Sequence, residues 1–174
     1  MYITKSERLS YRKITGCDFN ELKIMLGDPK VMYAWEHTFS DEQIYQWIEK
    51  QEEYYRQDGV GYFAAINRFS NELVGQVGLH RFLYNGEIEY EVCYMLKQQY
   101  FQQGYALEGV NAMVNYAFSK LMLPYIYAQI KTDNNPSIKV AEKAGFVKLG
   151  MLNKYYNGKN MPHYLYIRKK DFCV

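Results

Sequence analysis

Met95-Leu96-Lys97-Gln98-Gln99-Tyr100-Phe101-Gln102-Gln103-Gly104-Tyr105-Ala106-Leu107-Glu108 is the stretch on which the fold turns. A strand-like run ends at Leu96, a polar loop follows, Gly104 breaks it, and a strongly helical segment begins. The first turn of a helix leaves its N–H groups without intrahelical partners, and the helix dipole makes that end positive. A phosphate can settle there. A Gly-x-Ala at a helix start is weak evidence alone, because such a glycine also serves for a tight turn or close packing.

Working outward, the helix after Gly104 carries Ala106, Val110, Met113 and Ala117 at helical spacing, with Leu107, Val114 and Phe118 beside them. Pro124 is expected to end it, and Tyr125 to Lys131 reads as a short strand. A strand, a crossover helix and a second strand make a parallel pair. The next unit repeats the architecture: Asn135-Pro136 starts a helix with proline at its first position, and Gly145 closes it. Phe146 to Leu152 and Met161 to Arg168 read as the last two strands, with Asn157-Gly158 as a hairpin signal.

On the N-terminal side, Ser6 to Ile14 reads as a first strand, with Leu9 and Tyr11 on one face. Asp18 stands three residues before Glu21, a capping-box spacing for a helix bearing Phe19, Leu22, Met25 and Leu26. Gly27-Asp28-Pro29 ends that helix. Val31 to Phe39 is an aromatic loop or short helix, and Ser40 with Gln43 opens a helix that buries Ile44, Trp47, Ile48 and Tyr55. Tyr62 to Asn67, Glu72 to His80 and Ile88 to Leu96 read as strands joined by turns at Arg68–Asn71 and Tyr84-Asn85-Gly86, an antiparallel meander. The expectation is one α+β domain over residues 1–174, with about seven strands and about four helices.

The bulk numbers narrow the function. The 174 residues are 48% apolar and 23% charged, ordinary for a soluble globular protein, and the formal charge of +2 argues against nucleic acid or a membrane as partner. No apolar run is long enough to span a bilayer, and the N-terminal residues lack the apolar core of a signal peptide. Cys17, Cys93 and Cys173 are odd in number and widely spaced, and His37, His80 and His163 stand apart. These favour free thiols in a reducing cytoplasm and argue against a metal site. The 19 tyrosines are spread along strands and helices rather than gathered with basic residues, which favours packing and pocket lining over base stacking.

Together these blocks resemble the GCN5-related N-acetyltransferase (GNAT) superfamily, and more closely its RimJ/RimL-type branch. The resemblance is carried by Glu7-Arg8-Leu9-Ser10-Tyr11-Arg12, Asp28-Pro29-Lys30-Val31-Met32, Glu91-Val92-Cys93-Tyr94-Met95-Leu96, Gln103-Gly104-Tyr105-Ala106-Leu107-Glu108-Gly109, Asn134-x-x-Ser137 and Glu142-Lys143-Ala144-Gly145-Phe146. It covers nearly the whole chain. It implies a strongly bent, mostly antiparallel sheet splayed between its fourth and fifth strands, acetyl-CoA as cosubstrate, and no metal. Pantetheine is then expected along the backbone of Tyr94, Met95 and Leu96, and the pyrophosphate on the amides of Gln102, Gln103, Gly104, Tyr105, Ala106 and Leu107. Phe101 stands where the wider superfamily has Gln or Arg, but an aromatic there is usual in this branch.

Transfer of acetyl to an amine needs a proton acceptor for the amine and a donor for the departing thiolate. By the resemblance, Glu91 is the candidate base and Ser137 the candidate acid, while Asn134 contacts pantetheine. Strand alternation puts Glu89, Glu91, Cys93 and Met95 on one face, so two carboxylates can share the site. Bland alternatives stand beside each: a solvated strand face for the glutamates, a helix cap for Asn134, a local hydroxyl bond for Ser137. Ala141 replaces the tyrosine that serves much of the superfamily as acid, so Ser137, water or another tyrosine must act instead. Tyr33, Trp35, His37, Glu89 and Tyr156 are candidates for the acceptor pocket. The expected activity is acetylation of a primary amine: a protein N-terminus, a polyamine, an amino sugar or another small amine. A non-catalytic acyl-CoA sensor is the competing function, and the chain leaves a homodimer open.

Overall fold

Five antiparallel strands in sequence order build one side of an eight-stranded sheet, and a crossover helix starts the other. The computed structural model describes residues 1–156 and 158–170. The sheet order is β1-β2-β3-β4-β5-β6-β8-β7, with β1 Tyr2–Lys5, β2 Leu9–Lys13, β3 Tyr62–Asn67, β4 Leu73–Tyr84, β5 Glu87–Leu96, β6 Tyr125–Lys131, β7 Val147–Tyr156 and β8 Lys159–Lys169. The helices are α1 Phe19–Leu26, α2 Asp41–Gln57, α3 Tyr105–Ser119 and α4 Asn135–Lys143. Every pairing is antiparallel except β5 with β6, the pair joined through α3.

The sheet splits at that parallel pair. β4 and β5 stay in register from Gly75↔Leu96 to Tyr84↔Glu87, whereas β5 and β6 meet only at Glu91↔Tyr127. These are the fourth and fifth strands expected from sequence, because Tyr2–Lys5 adds one ahead of them.

Each face of the sheet has its own core. α3 and α4 cover a cluster containing Leu9, Tyr11, Phe63, Val77, Val92, Val110, Met113 and Phe146. α1 and α2 cover a second with Leu22, Met25, Ile44, Ile48, Tyr62, Ala64 and Met95. A Cβ at Gly109 would lie 2.9 Å from a Val77 methyl, so a glycine here lets α3 sit directly on β4.

Three local expectations need correcting. The strand expected over Ser6 to Ile14 spans only Leu9–Lys13, because Ser6 turns back with its N–H on Leu9 O, and β1 adds a strand ahead of that turn. Pro124 does not end α3, which stops at Ser119; Lys120 caps it and Leu121–Leu123 lead into β6. Asp18 does not cap α1 with its side chain. Its carboxylate instead accepts from both Arg12 guanidinium nitrogens at 2.8 and 2.7 Å and from the Thr15 N–H at 2.9 Å. The Ser40–Gln43 capping box, by contrast, forms as read. The Asn157-Gly158 hairpin signal and Cys173 involve residues outside those described.

Asp18 is buried in that network, and burial by itself raises its carboxyl. Arg12 and Thr15 outweigh burial and hold it below the ordinary carboxylate value. A depressed folded-state pKa adds stability above the unfolded value and loses it as pH falls through the folded one. Asp18→Asn is expected to lower stability by about 2 kcal/mol at pH 7, since it strands a partly exposed arginine. Urea titrations should show the gap to the native chain closing in acid; a constant gap would rule out the carboxylate as its source.

Candidate active site

The loop ahead of α3 begins where β5 leaves the sheet. Lys97 N–H donates to Val74 O at 2.9 Å, so odd-numbered peptide groups of β5 address β4 and even-numbered ones address its far edge. Beyond the Glu91↔Tyr127 contact β6 has diverged, leaving the peptide groups of Tyr94 and Leu96 facing the split. Met95, placed beside them from sequence, turns its side chain into the core on the α1–α2 side.

A short 3-10 turn, Gln98–Tyr100, leads into the break. Gln102 and Gly104 both take positive φ, 58° and 81°. Gly104 is the N-cap of α3 in the left-handed region, where a side chain is strained, and no side chain caps the helix. The N–H groups of Tyr105, Ala106 and Leu107 form the open first turn. Arg8 fixes this loop from β2's side: its guanidinium lies over the Tyr105 ring at 4.2 Å, donates to Gln103 O at 3.0 Å and pairs with Glu108 at 2.7 Å. A Cβ at Gly104 would lie 3.4 Å from Arg8 Nη2. Open amides and an arginine at one helix start suit an anionic ligand.

The split opens into a cavity of about 550 Å³ bounded by Glu91, Tyr94, Asn134 and Ser137, with Trp35, Trp47, Tyr54 and Tyr156 as aromatic walls. Asn134 is the N-cap of α4, accepting the Ser137 N–H at 3.2 Å and the Tyr33 hydroxyl. Tyr94 O–H donates to Ser137 Oγ at 3.0 Å when Ser137 turns its own proton outward. Burial pushes the Tyr94 phenol up to about 12. Ala141, at the place of the missing tyrosine, is packed in the core. Tyr94 is the tyrosine at hand, from a neighbouring strand.

Glu91 lies on the wall facing α2. Its side chain is 14% exposed and its nearest cation is Lys154 Nζ, at 3.6 Å from Oε1. Burial pushes its carboxyl above the ordinary value, only partly opposed by Lys154. His80, directly across β4, is held neutral, with a pKa lowered by burial to about 4. Its Nε2, and Gln129 Nε2 on β6, are buried without hydrogen-bond partners among the described residues. Burial followed by the charge of Glu91 pushes the Cys93 thiol up, so it is no ready thiolate.

Of the five acceptor candidates, Trp35 and Tyr156 line the cavity and stack edge to face at 5.4 Å. Tyr33 braces Asn134, and His37 touches Tyr156 across 3.4 Å. Glu89 sits farther along β5, bonded to the Tyr125 hydroxyl at 3.0 Å, and does not line the cavity. The shared face is real, but one repeat along a strand carries Glu89 past the cavity rim.

Sequence reasoning missed His80, Lys154 and the side-chain role of Tyr94. His80 was within reach: a two-residue Asn85-Gly86 turn pairs Tyr84 with Glu87, and four steps back along the ladder pair His80 with Glu91. Lys154 and Tyr94 meet their partners across long separations that no local pattern encodes.

A family model described as "Acetyltransferase (GNAT) domain" matches residues 8–147. The chain belongs to that family, and it is an acyltransferase enzyme. Over 163 residues it is 29% identical to the N-acetyltransferase YoaA of Bacillus subtilis, described as uncharacterized, covering 92% of each. The solved GNAT-family acetyltransferase from Bacillus anthracis is 29% identical, with a TM-score of 0.82 over 97% of this chain and 98% of that one. The RimL ribosomal L7/L12 α-N-protein acetyltransferase, solved with coenzyme A, shares the fold at a TM-score of 0.80 and 16% identity, over 97% of this chain and 98% of that one.

Proposed function

We propose that residues 1–174 form one acetyltransferase domain that moves acetyl from acetyl-CoA to a primary amine. The observation that carries this is a single cavity bearing Glu91 on one wall and the Tyr94–Ser137 pair on the other, opening along the unpaired edge of β5. The residues fit the coenzyme. Amides from Gln102 to Leu107, beside Arg8, take the pyrophosphate; the Tyr94 and Leu96 peptide edges take the pantetheine; Asn134 offers its amide nitrogen. When bound, acetyl-CoA supplies an activated thioester and a thiolate leaving group.

Glu91, ionised, accepts a proton from the incoming ammonium, and its apolar surroundings strengthen that attraction. Ser137 passes its hydroxyl proton to the leaving sulfur, and Tyr94 O–H, already donating to Ser137 Oγ, makes good the loss. Trp35, Trp47 and Tyr156 exclude water and wall the acceptor side. A protein N-terminus, a polyamine, an amino sugar or another small amine each meets this requirement, and a cytoplasmic location fits the coenzyme's supply.

Acetyl-CoA at about 100 times its Kd adds about 2.7 kcal/mol of stability. For a chain of this length that is a rise in Tm of roughly 5–10 °C. Thiol release across an amine panel then measures transfer. No shift with millimolar coenzyme would remove the reading, and a shift without thiol release from any amine would remove transfer to amines.

A further inference from the structure

Three lysines line the cavity: Lys50, Lys131 and Lys154. Two are tied to carboxylates that take no part in the proposed chemistry. Lys131 pairs with Glu36 at 2.7 Å and Asp133 at 3.1 Å, and Lys50 pairs with Glu53 at 3.0 Å. Lys154 differs, because its partner is Glu91 itself.

The position follows from topology. Lys154 stands on β7 opposite Met161 of β8, and the β7–β8 arm brings it over the split between β5 and β6. Its Nζ reaches Glu91 Oε1 at 3.6 Å, whereas Arg8 and Arg12 hold their carboxylates at 2.7 Å. Its side chain is 38% exposed, so the chain is not locked by packing. A lysine side chain is a primary amine on a flexible stem, the same functional group the site is built to acylate. The cavity that holds it also holds Tyr94, Asn134 and Ser137 on the coenzyme side.

Resting on the reading above, we propose that Lys154 is a self-acetylation site: without an outside acceptor, its Nζ takes the acetyl group from acetyl-CoA. Glu91 accepts one proton from the ammonium, and the freed lone pair attacks the thioester carbonyl carbon. The N–C bond forms, the C–S bond breaks, and the second nitrogen proton is released to solvent. The sulfur keeps the bonding electron pair and takes a proton from Ser137, which Tyr94 backs. The products are Nε-acetyllysine and the free thiol of coenzyme A, with no change of oxidation state. The modified side chain is uncharged and longer, so it gives up the ion pair with Glu91 and stands where the acceptor must enter. The enzyme thereby slows itself when coenzyme is plentiful and acceptor scarce.

The test is peptide mass spectrometry on the full chain incubated with isotopically labelled acetyl-CoA and no amine. Exposed Lys120, at the end of α3, serves as the internal reference for uncatalysed acetylation. Positioned attack should label Lys154 at least about ten times faster than Lys120, at a rate independent of protein concentration. Glu91→Gln and Ser137→Ala should slow Lys154 but not Lys120. Amine turnover of the native chain should decay on preincubation with acetyl-CoA, while that of Lys154→Arg, which keeps the charge but cannot be acetylated this way, should hold steady. Lys154 labelled no faster than Lys120, or equally fast in Glu91→Gln, overturns the proposal. If amines are still turned over, only self-acetylation has failed. If acetyl-CoA neither raises the Tm nor releases thiol with any amine, the acetyltransferase reading falls, and this proposal with it.

Discussion

Gly104→Asp is expected to abolish measurable coenzyme binding while Gly104→Ala weakens it only several-fold. The two substitutions share one strain. Gly104 sits at φ 81°, where any Cβ is disfavoured by about 1–2 kcal/mol. They also share the space, because the added Cβ meets nothing closer than Arg8 Nη2 at 3.4 Å. Charge is the difference. A carboxylate about 5 Å from a pyrophosphate, at an effective dielectric near 20, opposes it by roughly 3 kcal/mol per pair of charges. That is at least about a hundredfold in affinity. The same carboxylate begins next to Arg8 and draws that guanidinium off the loop carbonyl of Gln103. Calorimetric titration with coenzyme A, with apo-protein Tm as the folding control, separates the terms. Equal binding by the Asp and Ala variants would show that no phosphate lies at this helix start.

The loop around Gly104 was legible because everything that shapes it is local. A strand end, a glycine and a helical period lie within fourteen residues, and helix termini have the same unpaired amides in any fold. The meander was legible for the same reason: Asn85, at φ 51°, and Gly86, at φ 84°, supply the turn that fixes the β4–β5 ladder. Asp18 misled because a capping residue and an ion-pair partner look alike in sequence; Arg12, six residues earlier, competed for the same oxygens and won. The aromatic wall of the cavity was the hardest part. Trp35, Trp47, Lys154 and Tyr156 come from a loop, a helix and an edge strand that meet only after the sheet has bent. Ser137 stood out in the sequence, but Tyr94, its hydrogen-bond partner, was expected to contribute only backbone. A side chain pointing across the split is not visible to strand alternation, which gives a face and not a neighbour.

Glu91→Gln is expected to lower turnover with amines by about 100- to 1000-fold, the range for loss of a positioned proton acceptor, while leaving coenzyme affinity unchanged. The change keeps the side chain's shape and lies across the cavity from Asn134 and Ser137, so the coenzyme side is untouched. Stability should not fall. Burial raises the Glu91 carboxyl in the folded chain, so its ionised form is the one the fold disfavours. The sign follows: a raised folded-state pKa favours the native state in acid, and that contribution is lost as pH rises through the folded value. Near neutrality a neutral amide removes a buried charge, and Lys154, partly exposed, can turn to solvent. Native kcat/KM should therefore show an acid limb above the ordinary carboxylate range, and the variant should lack it. His80 is the nearest other candidate acceptor, but with its pKa lowered to about 4 it is a weaker base than an ordinary histidine and cannot restore the rate. Turnover within a few-fold of native, with the acid limb intact, would remove Glu91 as the base and leave solvent to take the proton.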